Sequence, residues 1–197
     1  GLNLKLLSKF GNPHGIDISE YAINFCRIRK IKNVKKSNVM DIKFNDNTFD
    51  VVTSLGVLYH KNVIDDIKGL TEIYRVLKPN GRLFVFDCAM KSLYGKHTVA
   101  FDGIRRYSRS ELKYKLEKVG FIIEKISYAN TIFFPTVFVS RQLSKLINAK
   151  PKSDVQEKFN PFINQILKII YKMELSGLKY FNYPFGVNIF AVARKPE

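Results

Sequence analysis

Cysteine is scarce in this 197-residue chain, acidic residues are outnumbered by basic ones, and long apolar runs are lacking. Its two cysteines, Cys26 and Cys88, stand far apart, with no C-x-x-C pair and no histidine cluster beside them. That spacing excludes a zinc ribbon and a disulfide framework, so no metal is expected and a reducing, cytoplasmic location is. The longest uncharged stretch, Ile126 to Ser140, is broken by Pro135 and is shorter than the ~20 residues a membrane-spanning helix requires. Asp and Glu number 17 against 33 Lys and Arg, a formal charge of +16. Such a surplus favours nucleic acid, an anionic membrane surface or an acidic ligand. The lysines are nevertheless spread along the whole chain among Ile, Asn, Phe and Tyr, the pattern of an AT-rich genome rather than of a patch. The densest run, Arg27 to Lys36, reads as a solvated helix end and loop. The chain opens at Gly1 with neither an initiator methionine nor a charged-then-apolar leader, and a further segment upstream is the expectation.

What is present is enough apolar material, 46% of residues with 13% aromatic, for one compact domain over 1–197. Leu4, Leu7 and Phe10 recur at helical spacing until Gly11-Asn12-Pro13 stops them. His14 to Ile18 reads as a short strand carrying an acid at its end, and Ser19 as the cap of a helix with Ala22, Ile23 and Cys26 inward. A weaker strand is expected from Val34 to Met40, ending at Asp41, and a strong one from Phe49 to Leu55. Val63, Ile67, Leu70, Ile73 and Leu77 form an amphipathic helix that Lys78-Pro79-Asn80-Gly81 is expected to end, before a buried strand over Leu83 to Phe86. Ser108 and Glu111 form a capping box for a helix with Leu112, Leu116 and Val119 inward, and Gly120 suits its left-handed end. Phe121 to Tyr128 and Gly186 to Ala193 have strand character. Between them, 131–183 reads as a helical insertion, with Val137, Leu143, Leu146, Phe162, Ile166, Leu167, Ile170 and Tyr171 at helical spacing. Strands alternating with helices predict an α/β doubly wound sheet, whose ligands bind beyond the carboxyl ends of the strands. Those ends carry Asp17, Asp41, Ser54 with Leu55, and Asp87.

The set "GLNLKLLSKFG", "FDVVTSLGVLYH" and "LKPNG", in that order, resembles the class I S-adenosylmethionine-dependent methyltransferases, in the branch known as type 11. The resemblance implies a mostly parallel Rossmann-like sheet with an antiparallel last strand, here without its first strand and the earlier glycines of the cofactor loop. It implies S-adenosylmethionine as cofactor. Gly1 would be the last glycine of that loop, Asp17 would accept the ribose hydroxyls and Ile18 would pack on the adenine. Asp41 would accept from the exocyclic amine with Met40 and Ile42 flanking the ring, while Ser54, Leu55 and Gly56 would line the methionyl part. His60 is the candidate base, although transfer from an activated sulfonium can proceed by positioning alone. Tyr94, His97, Arg105 and Arg106 lie where the acceptor should enter, and the two arginines offer paired hydrogen bonds to an anionic group. The apolar insertion suits a small or medium-sized, lipid-like acceptor or contact with a membrane surface. A nucleic-acid methyltransferase, motivated by charge alone, and a non-catalytic protein retaining the fold are the alternatives. An NAD-dependent dehydrogenase would share the acid after the second strand but not the three motifs together.

Overall fold

A computed structural model of the chain describes residues 1–146 and 160–197. Helix α1 (Leu2–Leu7) leads to β1 (Gly15–Asp17), α2 (Glu20–Ile28) and β2 (Val34–Lys36). Then come β3 (Phe49–Leu55), α3 (Asp66–Val76), β4 (Leu77–Cys88), α4 (Lys96–Ala100), α5 (Arg109–Val119), β5 (Ile122–Ala129), α6 (Phe134–Leu146), α7 (Pro161–Gly177) and β6 (Asn188–Arg194). Four strands form one sheet in the order β3-β4-β6-β5, with β3 and β4 parallel and β6 antiparallel to both its neighbours. Strands β1 and β2 pair in parallel as a separate two-stranded sheet. His14 meets Phe49 with ring centroids 6.0 Å apart, so the two sheets begin side by side, yet no ladder joins β1 to β3. The edge strand β3 accordingly leaves Val51 and Leu55 exposed.

Period-two alternation sorts the residues of β4. Leu83 and Val85 turn to the side where Leu70, Ile73 and Val76 of α3 and Leu112 and Leu116 of α5 pack, joined by Ile189, Ala191 and Ala193 of β6. Phe84 and Phe86 turn to the other side, where Phe190 and Leu178 meet them. Local capping sets the helix starts: Ser19 accepts from Ala22 N, Asp65 from Lys68 N and Ser108 from Glu111 N. Gly120 ends α5 at φ +107, a conformation that a side chain would strain.

Two expectations are corrected. The strand from Val34 stops at Lys36, because the Asn38 side chain accepts from Met40 N and turns the chain. Helix α3 ends at Val76, and Lys78-Pro79-Asn80-Gly81 belongs to β4. There it forms a bulge, with Leu77 opposite Phe49 and Arg82 already opposite Val51. Asn80 sits at φ +62, and the bulge is tied to the carboxyl terminus by Asn80 N to Lys195 O and Lys195 N to Gly81 O. Lys195 Nζ also donates to the carbonyls of Tyr74 and Leu77 and so satisfies the end of α3. Of the insertion expected over 131–183, helices α6 and α7 are present, and 147–159 lie outside the described residues. Helix α7 turns its inner face to the fold through buried Glu174, which accepts from the backbone amides of Thr131 and Ile132, and leaves Phe162 and Ile166 exposed. None of the described helices is long and apolar enough to cross a membrane.

Candidate active site at the strand ends

Strands β1, β3 and β4 deliver their last residues to the site. Asp17 ends β1 with an exposed carboxylate; its Oδ1 accepts from Ser19 N at 2.9 Å, and its Oδ2 accepts from none of the described residues. Ile18 beside it is 42% exposed. Ser54, near the end of β3, is buried, and its Oγ has no hydrogen-bond partner among the described residues. Leu55 is open to solvent, and Gly56 turns the chain at φ +65. A carboxylate oxygen and a buried hydroxyl, each without a partner among the described residues, are the donor and acceptor chemistry that a polar ligand such as a nucleoside with an amino-acid tail needs at strand ends. The other proposed cofactor residues are placed less simply. Met40 is half-buried with Sδ near Asp65 N, and Asp41 pairs with Lys43 at 2.6 Å. Ile42 is in the core, its backbone held by Glu72 and Arg75, which corrects the expectation that it flanks a ring. Gly1 caps α1, and a Cβ there would stand 2.6 Å from Ile31 Cδ1, so the glycine lets α1 approach this part of the fold. A cleft of about 430 Å³ lined by Ile23, Arg27, Lys30, Ile31, Lys32 and Val34 contains none of these residues.

On the acceptor side, the loop after β3 is clamped by residues distant in sequence. Asp87, 1% exposed, accepts from Leu58 N at 2.9 Å and from Cys88 N at 2.8 Å. Burial pushes its carboxyl up to about 7, against the backbone hydrogen bonds that favour the anion. Arg105 donates to the carbonyls of Leu58, Val63 and Ile64 and lies 3.4 Å from Asp66. Its donors are committed to the loop, which corrects the expectation that it receives an anionic acceptor. Tyr107 Oη lies 2.7 Å from Asp66 Oδ2 and 3.1 Å from Leu58 O. Burial works to raise the Asp66 carboxyl, but hydrogen bonds from Lys115 and Tyr107 and the charges of Lys115 and Arg105 bring it below its usual value. Sequence reading missed Asp66 and Lys115 altogether, because only the folded chain brings α3, α5 and the loop together.

His60 is half-buried, and its Nδ1 accepts from Asn62 N at 3.1 Å. The neutral ring then carries its proton on Nε2 and has no lone pair left for an acceptor. Tyr94 is 40% exposed, and His97 lies against Phe101 with centroids 4.7 Å apart. Arg106 is buried against Thr98 and Ala89. No group of three or more metal-ligating side chains occurs among the described residues.

Residues 1–85 match a family described as a methyltransferase domain. An uncharacterized protein of Methanocaldococcus jannaschii is 34% identical over 134 residues, 67% of this chain and 55% of its own length. A demethylmenaquinone methyltransferase of a Geobacillus species is 36% identical over 92 residues, 43% of this chain and 38% of its own length. The chain thus spans about half, or less, of the length of these two relatives. In fold it is similar to a SAM-dependent methyltransferase from Archaeoglobus fulgidus at TM-score 0.61 and 21% identity, covering 98% of this chain and 80% of that one.

Proposed function

We propose that the chain is part of a class I S-adenosylmethionine-dependent methyltransferase and that the whole protein methylates a small or medium-sized apolar acceptor, a reading supported by the match of residues 1–85 to a methyltransferase domain. The observations that support this reading are two polar groups without a partner among the described residues, Asp17 Oδ2 at the end of β1 and the buried Ser54 Oγ near the end of β3. Asp17 would hold the ribose hydroxyls, and Ser54 with the Leu55–Gly56 turn would hold the methionyl end. When bound, the cofactor supplies a methyl group already activated on a sulfonium. The chain's own task is then to orient the acceptor and exclude water, which the loop held by Asp87, Arg105 and Tyr107 suits. With its lone pair engaged by Asn62, His60 serves as a hydrogen-bond donor and not as a base. Calorimetric titration with S-adenosylmethionine, S-adenosylhomocysteine and NAD tests the reading. Binding of the first two and not of NAD is expected; binding of none would leave a protein that keeps the fold without the activity.

A lipid-like acceptor met at a bilayer surface is supported by α7. Phe162, Ile166, Ile169 and Met173 follow one another at helical spacing and are 72%, 42%, 49% and 69% exposed. Lys168 and Lys172 flank this stripe, and the helix's only acid, Glu174, is buried on another side. An apolar stripe bordered by lysines fits an anionic interface. Sedimentation with phosphatidylglycerol vesicles, but not with phosphatidylcholine vesicles, is the expected result, and Met173→Glu should abolish it. Equal sedimentation with both would place the stripe against something other than an anionic surface.

A further inference from the structure

Helix α2 packs on the fold by one side only, through Ile23 and Cys26. On its opposite side stand Tyr21, Phe25 and Ile28, which are 77%, 48% and 76% exposed and follow one another at helical spacing. The rings of Tyr21 and Phe25 have centroids 5.9 Å apart, and the Arg29 guanidinium carbon lies 5.7 Å from the Phe25 centroid. Ring, ring and guanidinium thus form a surface ladder about 12 Å long, the rise from Tyr21 to Arg29. Positive charge brackets it. The segment from Arg27 to Lys36 holds six basic residues and no acid. Arg29, Lys30 and Lys32 are exposed at the carboxyl end of α2, where Arg27, Lys30 and Lys32 also line the cleft of about 430 Å³. Lys36, at the end of β2, reaches the opposite end of the helix, 3.5 Å from Glu20. Glu20 is the only acid of α2, and it pairs with both Lys36 and Arg27.

Exposed rings beside a guanidinium, with lysines at both ends, supply what bases and phosphates require together. Aromatic faces and guanidinium planes stack bases of any sequence, while lysine and arginine follow the backbone. An anionic bilayer would match the charge, but interfacial binding scales with buried apolar area, and a nine-residue helix presenting Tyr21, Phe25 and Ile28 offers little of it. We infer that α2 and the end of β2 form a docking surface for single-stranded nucleic acid. Tyr21, Phe25 and Arg29 stack about two or three bases, and Lys30, Lys32 and Lys36 meet the phosphates. This surface stands independently of the methyl-transfer reading.

The test is fluorescence anisotropy of labelled dodecauridylate and dodecathymidylate with the full chain over a sodium chloride series, beside an abasic strand of the same length and charge. The base-bearing strands are expected to bind about tenfold or more tightly than the abasic one. The tighter of the two tells RNA from DNA. Tyr21→Ala with Phe25→Ala should remove the advantage of the bases and leave the salt slope unchanged. Lys30→Gln with Lys32→Gln should reduce the slope of log affinity against log salt by about 1.4, as two lost phosphate contacts on a single strand would. The same change at Lys113 and Lys118, exposed on α5, should leave the slope as it is. Equal binding of base-bearing and abasic strands would overturn the inference in the wild type, without needing any variant to fold. An equal loss from both lysine pairs would also overturn it, by assigning the strand to the diffuse charge of the chain. If Tyr21→Ala with Phe25→Ala keeps the advantage of the bases but loses binding to phosphatidylglycerol vesicles, the face is a membrane contact and the inference fails.

Discussion

Asp17 and His60 are single side chains whose hydrogen bonds decide what each can do. With Oδ1 engaged by Ser19 N and Oδ2 open, Asp17→Ala should weaken S-adenosylhomocysteine binding by about ten- to a hundredfold, the worth of one charge-assisted bond. Calorimetry checks this. His60→Gln keeps a donor at that place, so kcat should fall by less than about tenfold, whereas loss of a general base costs about a hundredfold or more. Asp87 gives a pH prediction. Its carboxyl is raised from 3.8 to about 7 in the folded chain, so between those values the native state holds a proton that the unfolded state has released. Its contribution to stability is fully present below about pH 4 and is lost as pH rises through about 7. The depressed carboxyls of Asp66 and Glu72 act in the opposite direction, so the comparison must be with a variant. Between pH 5 and 8 the melting temperature of the wild type should fall relative to that of Asp87→Asn, by an amount worth on the order of a few kcal/mol.

Elements in this fold are stabilised by their ends as much as by their faces. Gly120 closes α5 at φ +107, with Tyr74 Oη 3.4 Å from where a Cβ would stand, so Gly120→Ala should cost about 1–2 kcal/mol in denaturant unfolding. The carboxyl end of α3 has a different solution. There Lys195 supplies three bonds, to the carbonyls of Tyr74 and Leu77 and to Asn47 Oδ1, and its charge lies 4.7 Å over the Tyr74 ring. Lys195→Met should therefore destabilise the chain by about 1–3 kcal/mol despite lying near the terminus, as seen in a shifted denaturation midpoint with an unchanged slope. The capping residues Ser19 and Ser108 are legible because an N-cap is a local pattern, a hydroxyl before an apolar period. The bulge at Lys78–Gly81 is not, because Pro and Gly after an amphipathic run signal a helix end equally well. Only the carbonyls and amides of Gly81, Asn80 and Lys195 make it part of a strand.

Across the whole molecule, two sheets that share no ladder and a charge of +16 set the balance. Strand β3 keeps one unpaired edge carrying exposed Val51 and Leu55, and the core continues across that gap only through side chains such as Ile16, Phe44 and Phe49. Like charges oppose so loosely joined a body, and salt screens them over about 10 Å at 0.1 M. Raising sodium chloride from low to moderate concentration should therefore raise the melting temperature in a scanning experiment; a flat response would show that the many exposed ion pairs already balance the excess.

The order of strands and helices, the caps, the acid at the end of β1 and the resemblance carried by "FDVVTSLGVLYH" and "LKPNG" are all local patterns, and the sequence by itself determined them. Periodicity and capping depend on neighbours a few residues apart, which a linear reading sees. The fates of Arg105 and Arg106 were decided by the tertiary structure. Adjacent and chemically identical, they differ because one meets the carbonyls of a loop that Asp87 and Tyr107 also hold, and the other is buried against Thr98 and Ala89. The same is true of His60, whose lone pair is engaged by a turn in its own loop, and of Ile42, drawn inward by Glu72 and Arg75. Which partner a polar side chain finds depends on which distant segment the chain brings past it, and no local pattern carries that information.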